Sequence, residues 1–237
     1  MIIGHLFPDL LNLYGDLGNV RALQRRLEWR GLDVQVSNFQ LQDEIDVNQL
    51  DIVVLGGGSD REQQIVSKKM HTIKHDFQAY IENGGVVLAI CGGYQLLGHF
   101  YETNRGKMEG LAILDIDTVQ KSQRLIGNII LDSPLVTQPI IGFENHGGQT
   151  NIYQHDPLGK VLHGYGNDET GQKEGVIYKH VMATYCHGPL LPKNPQLADW
   201  LLQQALQQAG QPTELMPLDD ALEQQASREM IQRLIKG

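Results

Sequence analysis

Two apolar runs that do not alternate with polar residues constrain the fold more than any other feature of the sequence. Asp51 to Leu55 (DIVVL) stops at Gly56-Gly57-Gly58, and Val86 to Ile90 (VVLAI) stops at Cys91-Gly92-Gly93. A strand that is apolar on both faces needs cover on both faces, which is typical of a parallel sheet between two layers of helices. The two glycine-marked strand ends are then expected at one edge of that sheet.

The rest of the first hundred residues supports an α/β fold. Met1 to Phe7 and Val34 to Phe39 are two further strand candidates, and the helical candidates are Asn19 to Arg30, a helix capped by Ser59 with Glu62 three residues on, Ile73 to Glu82, and a helix from Tyr94 onward. The order of these elements predicts a mostly parallel sheet flanked by helices.

The second half of the chain has a different pattern. Short β-like runs separated by turn residues predict antiparallel strands or an extended sheet edge at Leu111 to Val119, Leu125 to Leu131, Ile140 to Phe143, Val176 to Tyr178 and Val181 to Tyr185. A helix is predicted over Pro192 to Gln208, and an amphipathic segment, Leu218 to Ile235, follows the break at Gly210-Gln211-Pro212. We therefore expect one domain over residues 1–210, and a helical extension over 211–237 that packs on the domain or on a partner.

Charge and cysteine content narrow the classes of function. The chain has 237 residues and a net charge of -9, which argues against a general electrostatic grip on nucleic acid or anionic lipid. Two cysteines make no disulfide framework and suggest a reducing compartment. No stretch resembles a signal peptide or approaches the ~20 apolar residues that cross a bilayer. These features predict a cytoplasmic protein.

Cys91 has two local interpretations. A strand that feeds a tight turn and a helix presents the turn residue at the sheet edge, as in a nucleophile elbow, and the following helix N-terminus would lower the pKa of the thiol. The Gly92 N–H would face a developing oxyanion. The alternative is a small buried residue at the end of a core strand, because free cysteines are among the most buried residues.

A cysteine nucleophile needs a base that takes its proton, and the sequence also offers a glycine-rich loop whose role has to be identified. His187 ends a predicted strand before Gly188-Pro189 and is the first candidate base, while His146 in GFENHGG is its rival. The loop Gly56 to Gly58 matches neither a Walker A nor a dinucleotide-binding motif. It is a simple turn or a nest of backbone N–H groups.

Taken together, these pieces resemble the class I glutamine amidotransferases. Within that family the sequence is most similar to the branch allied to cobyric acid synthase, which includes the glutaminase subunits of bacterial lipid II isoglutaminyl synthases. The resemblance spans nearly the whole chain and is carried by the segments LNLYGDLGN, GGGSDREQ, LAICGGYQLLG, EGLAILD, RLIGNI, GFENHGG, GYGN, EGVIYK and HGPLLPKN. It implies a flavodoxin-like class I amidotransferase fold.

The resemblance also implies residue roles. Cys91 would attack the side-chain amide of L-glutamine to give a γ-glutamyl thioester and ammonia, and His187 would shuttle the protons. The oxyanion hole would consist of N–H groups at Gly57, Gly58 and Gly92, and the substrate-binding residues would be Arg124, Gln95, Asn145 and Gly147. No metal site is implied, and Asn12, Tyr14 and Asp16 would line the site or the partner surface.

One position departs from the family pattern. Most class I enzymes have His-x-Glu, whereas His187 is followed by Gly188-Pro189. An imidazole without an orienting acceptor is a weaker base. We hypothesise that the partner subunit supplies the missing acid, with Asp16 as the rival within this chain.

The implied partner is a Mur-ligase-like (MurT-type) synthetase subunit in a heterodimer. The sequence has no ATP-binding motif, so ATP and Mg²⁺ are expected on that partner, with no cofactor on this chain. The acceptor would be the D-glutamate α-carboxylate of lipid II, at the inner membrane face, in peptidoglycan synthesis. The alternatives are another carboxylate acceptor of the cobyric acid type, a catalytically silent binding subunit, and a stand-alone cysteine hydrolase.

Overall fold

A six-stranded sheet, built mainly from the first half of the chain, forms the centre of the fold. The computed structural model describes residues 1–13, 15–104 and 106–235. Within them the sheet has the order β11-β12-β4-β3-β1-β2, and neighbouring strands are parallel except for the β11-β12 pair. Its strands are β1 (Ile2–Leu6), β2 (Gln35–Phe39), β3 (Ile52–Leu55), β4 (Val86–Ile90), β11 (Val176–Tyr178) and β12 (Val181–Thr184). The predicted parallel sheet is confirmed.

Helices cover both faces of this sheet. They are α1 (Leu17–Glu28), α2 (Asp60–Thr72), α3 (Lys74–Glu82), α4 (Gly92–Leu97) and α5 (Pro195–Gln208), whereas α6 (Ala221–Ile235) contacts the second sheet described below. Along β3, Ile52 and Val54 pack with α1 and α5, whereas Val53 and Leu55 pack with α2 and α3. Burial of each such side chain contributes roughly 1.5–3 kcal/mol. Both faces of the strand therefore have to be apolar, which is why the run does not alternate.

A second sheet, largely antiparallel, lies beyond the carboxyl ends of the parallel strands. Its strands are β5 (Phe100–Thr103), β6 (Gly106–Glu109), β7 (Asp117–Asp132), β8 (Ile140–Asn151), β9 (Gly159–His163) and β10 (Lys173–Glu174), and β7 pairs with β5, β8 and β9. The backbones of Phe143 in β8 and His187, which follows β12, exchange hydrogen bonds of 3.2 and 2.9 Å. This bridge joins the second sheet to the edge of the first.

The strand predicted over Leu111 to Val119 is wrong in its first half, because β7 begins only at Asp117. The backbone N–H groups of Leu111 and Leu114 donate to the carbonyls of Leu96 and Leu97 at 2.8 and 3.0 Å. These carbonyl groups lie at the C-terminal end of helix α4, where no N–H group of the helix itself donates to them. The apolar segment therefore closes the end of a short helix instead of joining a sheet.

The C-terminal segment is fastened to helix α1 through a buried arginine. Arg26 forms two hydrogen bonds of 2.7 Å to the Asp199 carboxylate and bonds of 2.6 and 3.0 Å to that of Asp220. The Arg26 side chain is only 6% exposed, so the carboxylates balance a charge that would be costly if buried alone. The boundary at residue 210 remains a prediction, since these contacts do not show which part folds alone.

Candidate active site

Cys91 occupies a strained turn between β4 and α4. Its backbone has φ 51° and ψ -103°, a conformation that costs a non-glycine residue on the order of 1–3 kcal/mol. The turn leaves almost no room: a Cβ built at Gly93 would lie 2.6 Å from the Leu55 carbonyl oxygen. The side chain is half-buried and lines a cavity, unlike a core residue. This geometry favours the nucleophile elbow over the core-filling interpretation.

The cavity beside Cys91 has a volume of about 350 Å³, within the usual range for a small-molecule site. It collects most of the site residues predicted from the sequence. Its lining includes Gly58, Cys91, Gln95, Arg124, Asn145 and Gly147, together with Leu13, Ser59, Asp60, Arg61, Gln63, Tyr101 and His146. Residues from distant parts of the sequence therefore converge on one concave surface.

His187 lies one strand away from the cysteine. Strands β4 and β12 are parallel, with Ile90 opposite Thr184, so Cys91 and His187 follow neighbouring strand ends. The His187 side chain is buried, and burial lowers the pKa of the imidazole to about 4, assisted by electrostatic interactions with His146, Lys193 and Arg124. At neutral pH the imidazole is therefore in its basic form, as a proton acceptor requires.

The group nearest in effect to an orienting acceptor for His187 is the backbone of Asn145. It acts to raise the pKa of the imidazole, against the larger effect of burial. Asp16, the rival proposed from the sequence, bonds elsewhere: its Oδ2 accepts the Gly57 N–H at 2.8 Å. Tyr14, which was expected nearby, lies outside the described residues.

The glycine loop and the Cys91 turn approach each other closely. A Cβ built at Gly92 would lie 3.3 Å from the Gly58 nitrogen, and the Gly92 N–H acts directly on the Cys91 thiol. The Gly57 N–H, in contrast, already donates to Asp16. In this conformation the predicted donor role of Gly57 is not supported, because its hydrogen is committed to a carboxylate. Gly58 and Gly92 remain the candidate oxyanion donors.

The sequence-based prediction of a lowered thiol pKa is wrong. Burial raises the pKa of Cys91 to about 12, and the negative charge of Asp16 adds to this rise. The Gly92 N–H and the positive charge of Arg124 act in the opposite direction but are weaker. The resting thiol is therefore protonated at neutral pH, so attack requires transfer of its proton to a base.

Arg124 reaches the cavity because β7 is irregular at that point. The register between β7 and β8 shifts between Gln120 and Leu125, and this bulge turns the Arg124 side chain toward β8. There the Nε and Nη2 atoms of Arg124 donate to the side-chain and backbone oxygens of Asn145 at 2.5 and 3.0 Å. The guanidinium stands at an exposed mouth of the cavity, where a substrate carboxylate can meet it.

Strand alternation explains which residues of GFENHGG face the cavity. Asn145 and Gly147 are half-buried and line it, and Glu144 is buried and does not, while His146 reaches the lining but is itself buried. The ring of His146 stacks on Tyr185 at 3.7 Å, and its Nδ1 atom is 2.6 Å from the Gly148 carbonyl oxygen. These contacts hold the His146 ring in place as part of the structure. His187 is therefore the better candidate for the base.

Gln95 is part of a buried polar network under the cavity. Its Nε2 donates to the Tyr185 hydroxyl at 3.1 Å, and its Oε1 accepts from Gln63 at 3.1 Å. The Tyr185 hydroxyl is also 2.6 Å from the Thr150 hydroxyl, which reaches the second sheet. Both ends of the Gln95 amide are thus held by the protein, which fixes the cavity wall.

Glu174 is a buried carboxylate that sequence reasoning missed. It accepts hydrogen bonds from the Thr184 hydroxyl and the Tyr185 N–H, at 2.8 and 2.6 Å, just before His187. Burial raises the pKa of Glu174 to about 7, and the nearby Glu144 contributes to the rise. The sequence feature that could have pointed to Glu174 is its position at the start of the EGVIYK segment, for which no role was predicted.

Replacing Glu174 with glutamine is expected to stabilise the protein more at high pH than at low pH. A carboxyl whose folded pKa is raised contributes stability below its ordinary pKa of 4.5 and loses it as the pH rises through about 7. The difference in unfolding free energy between Glu174→Gln and the wild type should therefore shift in favour of the variant by up to about 3 kcal/mol between pH 5 and pH 8.5. Urea denaturation at both pH values measures this gain, with the exposed Glu169→Gln as a control that shows none.

Comparison with known families shows which family this chain belongs to. A sequence model of the CobB/CobQ-like glutamine amidotransferase domain matches residues 2–195. The chain belongs to the CobB/CobQ-like glutamine amidotransferase family. The resemblance stated from the sequence is confirmed.

Two relatives in this family match almost end to end. One is subunit GatD of the glutamine-hydrolyzing lipid II isoglutaminyl synthase of Staphylococcus aureus (strain N315), 43% identical over 234 residues, which cover 98% of this chain and 96% of the relative. The other is the same subunit from Streptococcus pneumoniae (strain ATCC BAA-255 / R6), 42% identical over 231 residues, covering 96% and 89%.

The fold of the family also appears among solved structures. The structure of PurLQS from Thermotoga maritima superposes with a TM-score of 0.58 and 15% identity, over 87% of this chain and 97% of that one. At this identity the likeness supports the fold alone. It confirms the predicted class I amidotransferase architecture.

No helix within residues 1–13, 15–104 and 106–235 has both the length and the apolar character to cross a bilayer. The same residues contain no group of three or more His, Cys, Asp or Glu side chains that could hold a metal ion.

Proposed function

We propose that the chain is the glutaminase subunit of a lipid II isoglutaminyl synthase. The observation that carries this proposal is the strained Cys91, aimed into a cavity, in a chain that matches two GatD subunits over nearly their whole lengths. In this role the chain hydrolyses L-glutamine to glutamate and ammonia.

The geometry supports a two-step reaction. Glutamine binds with its α-carboxylate toward the Arg124 guanidinium and its side-chain amide at Cys91. The thiol proton passes to His187 as sulfur attacks the amide carbon, and the oxyanion that forms faces the N–H groups of Gly58 and Gly92. His187 then returns the proton to the departing nitrogen, which leaves as ammonia. Water hydrolyses the γ-glutamyl thioester, again with His187 as the base, and releases glutamate and the thiol.

The synthetase partner completes the system. We infer a Mur-ligase-like subunit of the MurT type, which binds ATP and Mg²⁺ and activates the D-glutamate α-carboxylate of the lipid II stem peptide. Lipid II as acceptor places the reaction at the inner, cytoplasmic face of the membrane. Ammonia would travel between the subunits by a shielded path, because free ammonia is mostly protonated at neutral pH and the ammonium ion is no nucleophile.

The partner is also the proposed source of an acid for His187. The Asn145 backbone acts to raise the pKa of His187 but is neutral, so it stabilises the imidazolium less than a carboxylate would. A carboxylate supplied across the interface would raise the pKa of His187 and couple hydrolysis to complex formation.

The test is ammonia transfer with the recovered partner. The chain is used to capture a Mur-ligase-like protein, and the complex is incubated with ATP, lipid II and glutamine labelled with ¹⁵N in the amide. Mass spectrometry should show one ¹⁵N amide per lipid II only when both subunits are present. Labelling of a corrinoid-type carboxylate instead would favour the alternative acceptor, and no glutamate release in any mixture would favour a silent binding subunit. Full glutaminase activity of the isolated chain would rule out the partner acid.

Replacing Arg124 with alanine is expected to weaken glutamine binding. A charge-assisted hydrogen bond contributes about 1.5–3 kcal/mol, so kcat/KM should fall roughly 10- to 100-fold, mainly through KM. Arg124→Lys should recover only part of the loss, because an ammonium cannot form the paired contact with a carboxylate. Steady-state kinetics with varied glutamine measure both. Arg25→Ala, an exposed position on helix α1, serves as the control, and an unchanged KM in Arg124→Ala would contradict the assigned role.

A further inference from the structure

Asp16 stands at the N-cap of helix α1 but does not cap it. An aspartate at this position usually accepts an N–H from the first turn of its own helix. The Asp16 side chain makes no such bond, and its Oδ2 accepts the Gly57 N–H at 2.8 Å instead. The carboxylate is therefore directed across the sheet edge to the glycine loop.

The arrangement is not explained by stability. Asp16 is completely buried, and within the described residues its Oδ1 has no hydrogen-bond partner. A buried carboxylate with only one of its oxygens satisfied is destabilising, since the desolvation of the charge is poorly compensated. Such groups are found where a function requires them.

One glycine separates this carboxylate from the nucleophile. A Cβ built at Gly57 would lie 3.1 Å from the Cβ of Cys91 and 3.8 Å from the Oδ2 of Asp16. The loop before α1 also fixes the other side of Gly57, because the Leu13 N–H donates to the Gly57 carbonyl at 3.0 Å. The Gly57 peptide is thus held on both sides by residues 13 and 16.

The charges that act on Cys91 come from three elements. Asp16 and Asp60 oppose its ionisation, and Asp16 has the larger effect, while Arg124 of β7 and the Gly92 N–H favour it. The negative charge of Asp16 is therefore a main electrostatic opponent of the thiolate in the resting site.

We propose that Asp16 is a positioning residue for glutamine hydrolysis: its carboxylate holds the Gly57 peptide against Cys91, and its charge, one glycine away, disfavours a thiolate before glutamine binds. This rests on the glutaminase function proposed above. A protonated thiol resists oxidation and alkylation, so the cysteine becomes reactive only when glutamine and His187 act on it. Turning the Gly57 N–H toward Asp16 also leaves the oxyanion position to Gly58 and Gly92.

The charge component is tested by alkylation of Cys91 with iodoacetamide as a function of pH, with the modified peptide quantified by mass spectrometry. Asp16→Asn keeps the shape and an acceptor oxygen but removes the charge. The midpoint of the labelling curve should fall by about one pH unit, equivalent to roughly tenfold faster labelling where the wild-type thiol is still protonated. Asp9→Asn, the same change at an exposed position in the same loop, should leave the curve unchanged. An Asp16→Asn curve that superposes on the wild type overturns this component.

The positioning component is tested by comparing two variants at Asp16. Asparagine still accepts the Gly57 N–H and alanine does not, so kcat for glutamine should be at least about tenfold lower in Asp16→Ala than in Asp16→Asn. Equal kcat values in the two variants overturn it. If Asp16 were only a structural residue, the variants would change the melting temperature and leave the alkylation curve in place.

A measurement on the wild-type chain covers the case in which the variants do not fold. The Gly57 amide signal, followed by NMR in protein labelled with ¹⁵N-glycine, should titrate with a midpoint near 6, the raised pKa of the Asp16 carboxyl. No change of that signal between pH 4.5 and 7.5 contradicts the proposal. Alkylation and NMR require no turnover, so a failure of the glutaminase function itself would be seen separately, as an absence of glutamate release.

Discussion

Replacing Cys91 with serine is expected to abolish glutamine hydrolysis, lowering kcat/KM by about 10⁴-fold or more. A serine hydroxyl is a far weaker nucleophile than a thiol, and the γ-glutamyl thioester cannot form without sulfur. Serine also fits the strained turn, since it is close in size to cysteine and keeps the same backbone. Activity is measured as glutamate release from glutamine, with and without the synthetase partner.

A covalent probe sharpens this prediction. A diazoketone analogue of glutamine should label the wild-type chain once, at Cys91, and should leave the Cys91→Ser variant unmodified. Cys186→Ala is the matched control: that cysteine is fully buried against Gly142, so its loss should leave labelling intact. Labelling at Cys186, or turnover by Cys91→Ser within tenfold of the wild type, would contradict the assignment of the nucleophile.

Replacing His187 with glutamine is expected to lower kcat by roughly 10²- to 10⁴-fold, the usual contribution of a positioned acid–base group. The Cys91 thiol is protonated at rest, so attack needs a base that takes its proton and the leaving nitrogen needs an acid, and both roles are assigned to His187. His99→Gln changes a partly exposed histidine outside the site and should retain full activity.

The pH dependence offers an independent measure of the same residue. Because burial lowers the pKa of His187 to about 4, the imidazole of the isolated chain stays neutral well below the usual histidine range. Protonation of this base should therefore reduce activity only below about pH 5, and not near 6.5. An His187→Gln variant that keeps more than a tenth of wild-type kcat would remove His187 from the mechanism.

The sequence predicted the architecture well where burial leaves a simple pattern. The run from Val86 to Ile90 matches β4 residue for residue, because a strand covered on both faces must be apolar throughout. The cap formed by Ser59 and Glu62 is also confirmed, including both of its reciprocal hydrogen bonds. In each case the decisive interactions are local or follow from the period of the strand.

Interactions between distant segments were not predictable in the same way. Residues 111–114 look like part of a strand, yet their N–H groups bond to carbonyls at the end of α4, an interaction that forms only in the folded chain. The thiol pKa was predicted in the wrong direction because the burial of Cys91 and the charge of Asp16 are tertiary effects. Glu174 was missed for the same reason, since its hydrogen-bond donors are Thr184, at the end of β12, and Tyr185, which follows that strand.

The division of the cavity between two sheets has an evolutionary consequence. Cys91 and His187, the proposed nucleophile and base, follow strands of the parallel sheet, whereas Arg124, Asn145 and Gly147 belong to the antiparallel one. Mutations in β7 and β8 can therefore change the contacts to the substrate while the strands that carry Cys91 and His187 are kept. Natural selection can therefore act on bond breaking and on substrate choice separately, so one hydrolytic centre can be retained while its substrates diverge.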